Sequence, residues 1–275
     1  MSDPRAALDA IGALPDVELD LADAALQLAR VDCPDADWLT VRGHLSALAR
    51  ESAGFASEID PHDLSAQAGA LAGLLAGRHG YSGDTESYDD VANANLIRVV
   101  ERRRGLPVTL GILWLHCARA AGWQAHGINF PGHFLIGLTA GGAQIVLNVF
   151  AGGDPMDARD LRVLVKRVEG ERAELHPDLI EPMSNRAVLL RLQYNISQRR
   201  LAAGDVEAAL SCTEDMLRIA PDAASTWRDA AVLNHRLDRV AAALRCFGHC
   251  LDHLPEGDAA DRVRSAMAEL RTQLN

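Results

Sequence analysis

The chain has 275 residues, of which 48% are hydrophobic and 24% are charged. This is the composition of a folded globular protein, and it excludes an intrinsically disordered or collagen-like chain. The length predicts about two domains. Acidic residues outnumber basic residues by 38 to 27, which gives a formal net charge of -11. Because this charge repels phosphate backbones and anionic lipid surfaces, we expect neither nucleic acid nor a membrane as a partner.

The compartment is inferred from targeting signals and cysteines. No apolar run approaches the roughly 18 residues that span a bilayer. The residues after Met1 lack the basic and then apolar pattern of a secretory signal. The five cysteines are odd in number and scattered through the chain, which argues against a disulfide framework. We therefore predict reduced thiols and a cytoplasmic location.

The first section of the chain, from Pro4 to about Gly80, is predicted to be helical. Its leucines, valines and alanines recur at the spacing of one helix face. Prolines such as Pro15, Pro34 and Pro61 divide the section into separate helices, because proline disfavours a helical residue before it and suits the first turn of a helix.

The pattern changes between residues 81 and 164. Residues 93–104 are predicted to form one helix, and Pro107 begins another that ends at Gly122. Three strand-like runs follow, at residues 124–130, 133–139 and 144–150, with a glycine-rich turn between the last two. The sequence therefore predicts a mostly helical α+β fold with a small antiparallel sheet.

The C-terminal part contains an internal repeat. Residues 168–185 are charged and marked by prolines, which predicts a domain junction. Beyond it, a shift of 34 residues superimposes Leu201 on His235 and Cys212 on Cys246. A helix-turn-helix period of about 34 residues is typical of tetratricopeptide repeats. We predict a helical array over residues 186–275, capped by residues 258–274, that binds a protein or peptide.

One long segment is specific enough to suggest a family. It reads NANLIRVVERRRGLPVTLGIL from Asn93, continues through Ala118–Gly122, and reaches FPGHFL at Phe130. It resembles the bacterial SirB-type family, in which a transglutaminase-like domain precedes tetratricopeptide-like repeats. The resemblance covers roughly residues 18–275. It implies a transglutaminase-like, cysteine-protease-like core over residues 1–167, and a suggested regulatory role.

The resemblance also implies where a catalytic site would lie. In the wider superfamily a cysteine at the N-terminus of the central helix is the nucleophile, a histidine on the following strand is its base, and an acidic residue on the next strand orients the imidazole. Here Pro107–Thr109 contains no cysteine, while His133 and Asn148 match the other two positions. Asparagine can orient an imidazole, as in papain-like proteases, so the missing cysteine is the larger departure.

Two other residues are candidate nucleophiles. Cys117 lies eight residues beyond Thr109, which is about 12 Å along a helix. Its apolar neighbours favour a buried packing role. Thr109 would need strong activation by a nearby base. We expect any residual cleft to be lined by Asn93, Arg102, Pro107, Thr109, Pro131, His133 and Asn148.

Metal binding and phosphate binding are not favoured. His116, His126 and His133 lack ligand spacing. The set Cys246, His249, Cys250 and His253 spans about 10.5 Å along one helix, too far for one tetrahedral site. The residues Arg102, Arg103 and Arg104 are expected to end a helix and to pair with acids such as Glu101. We predict no cofactor and no metal.

The leading hypothesis is a non-catalytic regulatory protein, a pseudoenzyme whose repeats bind a protein partner. The rival hypothesis is a cysteine-dependent hydrolase or acyltransferase that uses Cys117, His133 and Asn148. A third possibility is the sensing of a small molecule in the cleft near His133.

Overall fold

The computed structural model describes residues 3–272, which form two compact units. We call residues 15–189 the sheet unit, and residues 3–14 together with 190–272 the repeat unit. Helix α1 (Pro4–Gly12) belongs to the repeat unit. The domain bounds 1–167, 168–185 and 186–275 stay a prediction. Part of the predicted junction packs on the core of the sheet unit, through Ala173, Leu175, Leu179 and Ile180.

The sheet unit opens with three helices, as the sequence predicts. Each begins after an aspartate whose carboxylate accepts a backbone N–H of the first turn. The last of them continues into a π-helical segment, Gly73–Arg78. The three helices are α2 (Leu21–Asp32), α3 (Trp38–Ala53) and α4 (Leu64–Ala72).

Two helices and a pair of short strands form the centre of the sheet unit. Strands β1 (Ser82–Gly83) and β2 (Arg104–Gly105) are parallel. Helix α5 (Leu96–Arg102) starts later than predicted, because the side chain of Asn95 caps it. Helix α6 (Pro107–Ala120) begins with proline at its first position, as expected, and is buried on nearly every side.

The sheet has four antiparallel strands in sequential order. The three predicted strand runs are confirmed, and Gly141 and Gly142 form the predicted turn with left-handed backbone angles. The fourth strand was not predicted; it pairs with β5. Helix α7 (Ala158–Glu169) then packs its apolar side against the sheet. The strands are β3 (Gln124–Ile128), β4 (Leu135–Ala140), β5 (Ala143–Asn148) and β6 (Asp154–Met156).

The repeat unit is a helical array. Helix α1 packs on α9, where a Cβ atom on Gly12 would overlap the carbonyl group of Arg218. Arg5 of α1 pairs with the buried carboxylate of Asp215 at 2.9 Å. The predicted terminal segment 258–274 is helical as α12 up to Thr272, residues 273–274 lie outside the described residues, and its role as a cap stays a prediction. The helices are α8 (Asn185–Ala202), which starts in the sheet unit, α9 (Val206–Ile219), α10 (Ala224–Arg236), α11 (Val240–Asp252) and α12 (Asp258–Thr272).

Within residues 3–272, no helix combines the length and the apolar character that spanning a membrane requires.

Candidate functional site

The N-terminus of α6 is closed by an earlier segment of the chain. The backbone carbonyl of Asn93 accepts a hydrogen bond from the Leu106 N–H at 2.8 Å. The same carbonyl accepts the Thr109 hydroxyl at 3.0 Å. Asn93 and Thr109 have no exposed surface, whereas Pro107 is half-buried. Within Pro107–Thr109, where the resemblance places the superfamily's cysteine, the structure therefore shows a half-buried proline and a buried threonine that is already hydrogen-bonded.

A buried carboxylate holds this covering segment in place. Asp84 accepts the Ser87 hydroxyl at 2.6 Å and the backbone N–H groups of Glu86 and Ser87. Arg102 donates at 3.1 Å to the same oxygen that accepts the Ser87 hydroxyl, while the two backbone N–H groups donate to the other oxygen. The pKa of Asp84 is lowered to about 2, chiefly by the hydrogen bonds from Ser87. The Asn93 amide donates to the Ser87 carbonyl at 2.6 Å, so the segment and the helix end are linked.

Arg102 therefore has a different partner from the expected one. Its guanidinium contacts Asp84 and Asp90, while Glu101 pairs with Arg98 at 2.9 Å. A helix places residues three apart on one side, which explains why Arg98 rather than its immediate neighbour reaches Glu101.

His133 lies in a tight turn between β3 and β4. Its backbone N–H donates to the Phe130 carbonyl at 2.9 Å, across Pro131 and Gly132. Gly132 has a φ angle of 67°, in the left-handed region that is strained for residues with a side chain. The imidazole is half-buried. The neighbouring Phe134 ring is buried against α6, where a Cβ atom on Gly111 would overlap it.

Asn148 has a local structural contact. Its side-chain oxygen accepts the backbone N–H of Phe150 at 3.2 Å, which caps a short 3₁₀ turn. The register of β4 and β5 pairs Ile136 with Leu147, so that Asn148 lies opposite Leu135 by continuation rather than opposite His133. Asn148 also lines an open cavity of about 560 Å³ with Asp154 and residues of α7.

Cys117 is buried on a different side of α6. It has no exposed surface, and Ser52 on α3, whose hydroxyl donates to the Leu48 carbonyl at 2.8 Å, influences the pKa of its thiol. Burial raises the pKa of this thiol to about 11. Gly111 faces Phe134, and Cys117 follows it by six residues, which is about 240° around the helix axis. The thiol is thus directed toward α3 rather than toward the strands beside His133.

The metal candidates are dispersed. His116 contacts the Leu45 carbonyl at 3.0 Å, and His126 contacts the Gln144 amide at 3.3 Å. In α11, Cys250 is buried in an apolar cluster, and His249 packs against Trp227 with the ring centroids 4.5 Å apart and the rings tilted by 34°. Within residues 3–272, no three histidine, cysteine or carboxylate side chains converge on one point.

A polar cluster near Cys117 was not anticipated from the sequence. His44 Nε2 lies 2.9 Å from the Tyr81 hydroxyl and 2.7 Å from a guanidinium nitrogen of Arg103, which also donates to Tyr81. Burial, followed by Arg103 and His79, lowers the pKa of His44 to about 4. Arg103 has a φ angle of 59° at the end of α5, and this left-handed backbone directs it onto the Tyr81 ring. The only sequence signal is the run of three arginines.

The repeat unit carries an open groove on the face formed by α8, α10 and α12. It consists of two adjoining cavities, of about 120 Å³ and about 360 Å³, that share Val232. The smaller cavity lies between α8 and α10, and the larger one between α10 and α12. We call this surface the groove; the side chains used below are Tyr194, Arg228, Asp229, Val232, Arg236, Phe247, Cys250, Arg262 and Val263.

The fold and the site together define a transglutaminase-like domain joined to tetratricopeptide repeats. The family model described as transglutaminase-like superfamily matches residues 40–194, and the model described as tetratricopeptide repeat matches residues 196–268. The chain belongs to this transglutaminase-like family, among the bacterial proteins named UPF0162. The order of the two parts is the order that the SirB-type resemblance predicted.

Several relatives share this architecture or part of it. The chain is 28% identical to the UPF0162 protein of Xylella fastidiosa (strain Temecula1) over 273 residues, which is 96% of this chain and 94% of that protein. It is 30% identical to a UPF0162 protein of Pseudomonas aeruginosa over 237 residues, 86% of this chain and 84% of that protein. A shorter match is to F-box only protein 21 of Mus musculus. It is 31% identical over 70 residues, which cover 26% of this chain and 11% of that protein.

Proposed function

We propose that this chain is a non-catalytic, regulatory protein-interaction protein of the cytoplasm. The sheet unit acts as a scaffold, and the groove of the repeat unit receives a protein partner. Tetratricopeptide repeats generally mediate protein–protein interaction. The observation that supports the proposal is the burial of Thr109, whose hydroxyl donates to the Asn93 carbonyl, in the segment Pro107–Thr109 that contains no cysteine.

The environment of Cys117 argues against the rival hypothesis of a cysteine-dependent hydrolase or acyltransferase. A nucleophilic cysteine needs a lowered pKa and access to its substrate. The pKa of the Cys117 thiol is raised, and the side chain has no exposed surface. Asn148 caps a 3₁₀ turn with the oxygen that an imidazole would require.

Thiol labelling tests this proposal. The folded protein is treated with iodoacetamide, and each cysteine is followed by peptide mass mapping. We expect Cys117 to stay unmodified while Cys33, which is partly exposed, reacts and serves as the internal positive control. The variant Cys117→Ala should leave partner binding unchanged. Rapid modification of Cys117, or an acyl group trapped on it, would establish the enzymatic alternative.

Affinity purification tests the assignment of partner binding to the groove. The full chain is compared with its Val232→Asp variant, because Val232 is exposed and lines both cavities of the groove. We expect the variant to lose proteins that the full chain enriches, while thermal unfolding of the two proteins stays alike. Equal enrichment by both would contradict the assignment to the groove.

A further inference from the structure

The floor of the groove is apolar and partly open. Phe247, Cys250 and Val263 form the base of the larger cavity, and all three are buried in one cluster. Above them, Val232 is 41% exposed, and Tyr194 at the far end of the groove is 47% exposed. Apolar side chains that remain in water along a continuous depression are typical of a surface that contacts a ligand. The floor therefore suits an aliphatic or aromatic side chain.

The rims of the groove are positively charged. Arg228, Arg236 and Arg262 line it, and Asp229 is the one acidic residue among the lining residues. Arg228 pairs with Asp229 at 3.3 Å. Within the described part of the chain, neither Arg236 nor Arg262 makes an ion pair. The excess positive charge is notable because the whole chain carries a net charge of -11.

Other arginines of the repeat unit are used differently. Arg5 and Arg218 pair with Asp215 and Asp9, at 2.9 Å and 2.8 Å, where α1 packs on α9. Arg264 on α12 pairs with Glu256 at 2.6 Å. These guanidinium groups already have carboxylate partners, whereas Arg236 and Arg262 at the groove leave their charge to a molecule from outside.

We propose that the groove binds an acidic peptide segment that carries one apolar anchor residue. This inference rests on the proposed function and names the chemistry of the partner. The anchor enters the larger cavity against Phe247 and Val263, and carboxylates of the peptide pair with Arg236 and Arg262. A guanidinium group holds a carboxylate through two parallel hydrogen bonds, which gives both affinity and orientation.

The spacing along α10 sets the length of the segment. Arg228 and Arg236 are eight residues apart, which is about 12 Å along the helix. An extended peptide covers this distance with about four residues at roughly 3.3 Å each. Acidic residues on both sides of the anchor therefore reach both ends of the groove.

Fluorescence anisotropy with three synthetic peptides tests the proposal on the full chain. Each peptide has ten residues and a central leucine, flanked by glutamates in the first, glutamines in the second and lysines in the third. We expect the glutamate peptide to bind at least about tenfold more tightly than the other two, and to weaken as salt is added. Arg236→Glu and Arg262→Glu should each weaken it by about tenfold.

A matched control variant tests whether the effect of charge is confined to the groove. Arg245 on α11 is exposed and does not line the groove, so Arg245→Glu makes the same change in net charge elsewhere in the repeat unit. We expect it to alter the affinity by less than about twofold. A loss as large as that of Arg262→Glu would overturn the proposal, because the effect would then come from net charge alone.

The outcomes separate this inference from the proposed function. If the glutamine or lysine peptide binds as tightly as the glutamate peptide, and Val232→Asp removes that binding, the acidic assignment is wrong while the groove still binds peptides. If no peptide binds, the acidic assignment is also overturned. The proposed function is then decided by the thiol labelling and the affinity purification.

Discussion

The two units use their polar groups in opposite ways. At the end of α6 in the sheet unit, the Thr109 hydroxyl and the Asn93 carbonyl bond to each other and have no exposed surface. In the groove of the repeat unit, the guanidinium groups of Arg236 and Arg262 face solvent. A polar group satisfied inside the protein stabilises the fold, whereas an uncompensated charge at an apolar cavity is available to a ligand. This contrast favours the repeat unit as the part that recognises other molecules.

The largest expected effect comes from enlarging one side chain in each unit. Gly111 on α6 has no room for a side chain, because a Cβ atom there would overlap the Phe134 ring. We expect Gly111→Ala to lower the free energy of unfolding by about 2–3 kcal/mol, through overpacking of the core. In the groove, the larger side chain of Ala259→Leu extends into an open cavity. We expect this substitution to change the free energy of unfolding by less than about 0.5 kcal/mol. Urea denaturation measures both.

A second glycine controls for the change of residue type. Gly43 lies within α3, and no atom stands within 4 Å of a Cβ atom added there. Gly43→Ala should therefore stabilise the protein by about 0.5–1 kcal/mol, since alanine favours a helix over glycine. If Gly111→Ala behaves like Gly43→Ala, the sheet unit is less tightly packed around α6 than the structure shows.

The second prediction concerns pH, because the histidines of the two units differ in burial. His44 in the sheet unit is partly buried with its pKa lowered to about 4, while His235, His249 and His253 of the repeat unit are exposed. As the pH falls, His44 in the unfolded chain binds a proton near the usual histidine pKa of about 6.5. In the folded protein it binds a proton only near pH 4. Stability is therefore full above about pH 6.5 and falls as the pH drops toward 4.

Partial exposure of His44 reduces the size of this effect, so we expect a loss of about 1–2 kcal/mol between pH 7 and pH 4.5. Urea denaturation across this range, compared with His44→Gln, measures it. Glutamine keeps an acceptor for Tyr81 and Arg103 but does not titrate. The variant should keep a smaller slope, from His126, whose pKa burial also lowers, and from carboxylates whose pKa is lowered, such as Glu51 and Asp84. An unchanged slope in His44→Gln would show that other groups cause it.

Local patterns predicted most of the fold. Strand-like runs and the glycine-rich turn between the last two identified β3, β4 and β5, and Pro107 marked the start of α6. Strand β6 was missed because it has three residues with Pro155 in the middle, and its structure depends on pairing with β5. The placement of α1 was also missed, since the Arg5–Asp215 pair joins residues that are 210 positions apart.

The candidate site was predictable only in part. The absence of cysteine at Pro107–Thr109 is visible in the sequence. The burial of Thr109 is not, because it depends on a carbonyl 16 residues earlier and on the hydrogen bonds of Asp84. The groove had a usable signal, since Arg228, Val232 and Arg236 follow one another at intervals of four on one helix face. Arg262 joins them only through the packing of α12.

The third prediction measures the hydrogen bond that closes the end of α6. Thr109→Val keeps the shape of the side chain and removes its donor, while the Asn93 carbonyl still accepts the Leu106 N–H. We expect the free energy of unfolding to fall by about 1 kcal/mol in urea denaturation. Thr139→Val is the matched control, because Thr139 lies half-exposed on β4. That substitution should change the stability by less than about 0.5 kcal/mol.

Thr109→Cys, made in the Cys117→Ala protein, turns the same position into a direct test of closure. A thiol at the N-terminus of a helix is favoured as a thiolate, so it would react with iodoacetamide if solvent reached it. We expect it to react far more slowly than Cys33, because the side chain at this position has no exposed surface beneath Asn93. Labelling at the rate of Cys33 would mean that the segment held by Asp84 opens. In that case the sheet unit could admit a ligand, and the contrast between the two units would fail.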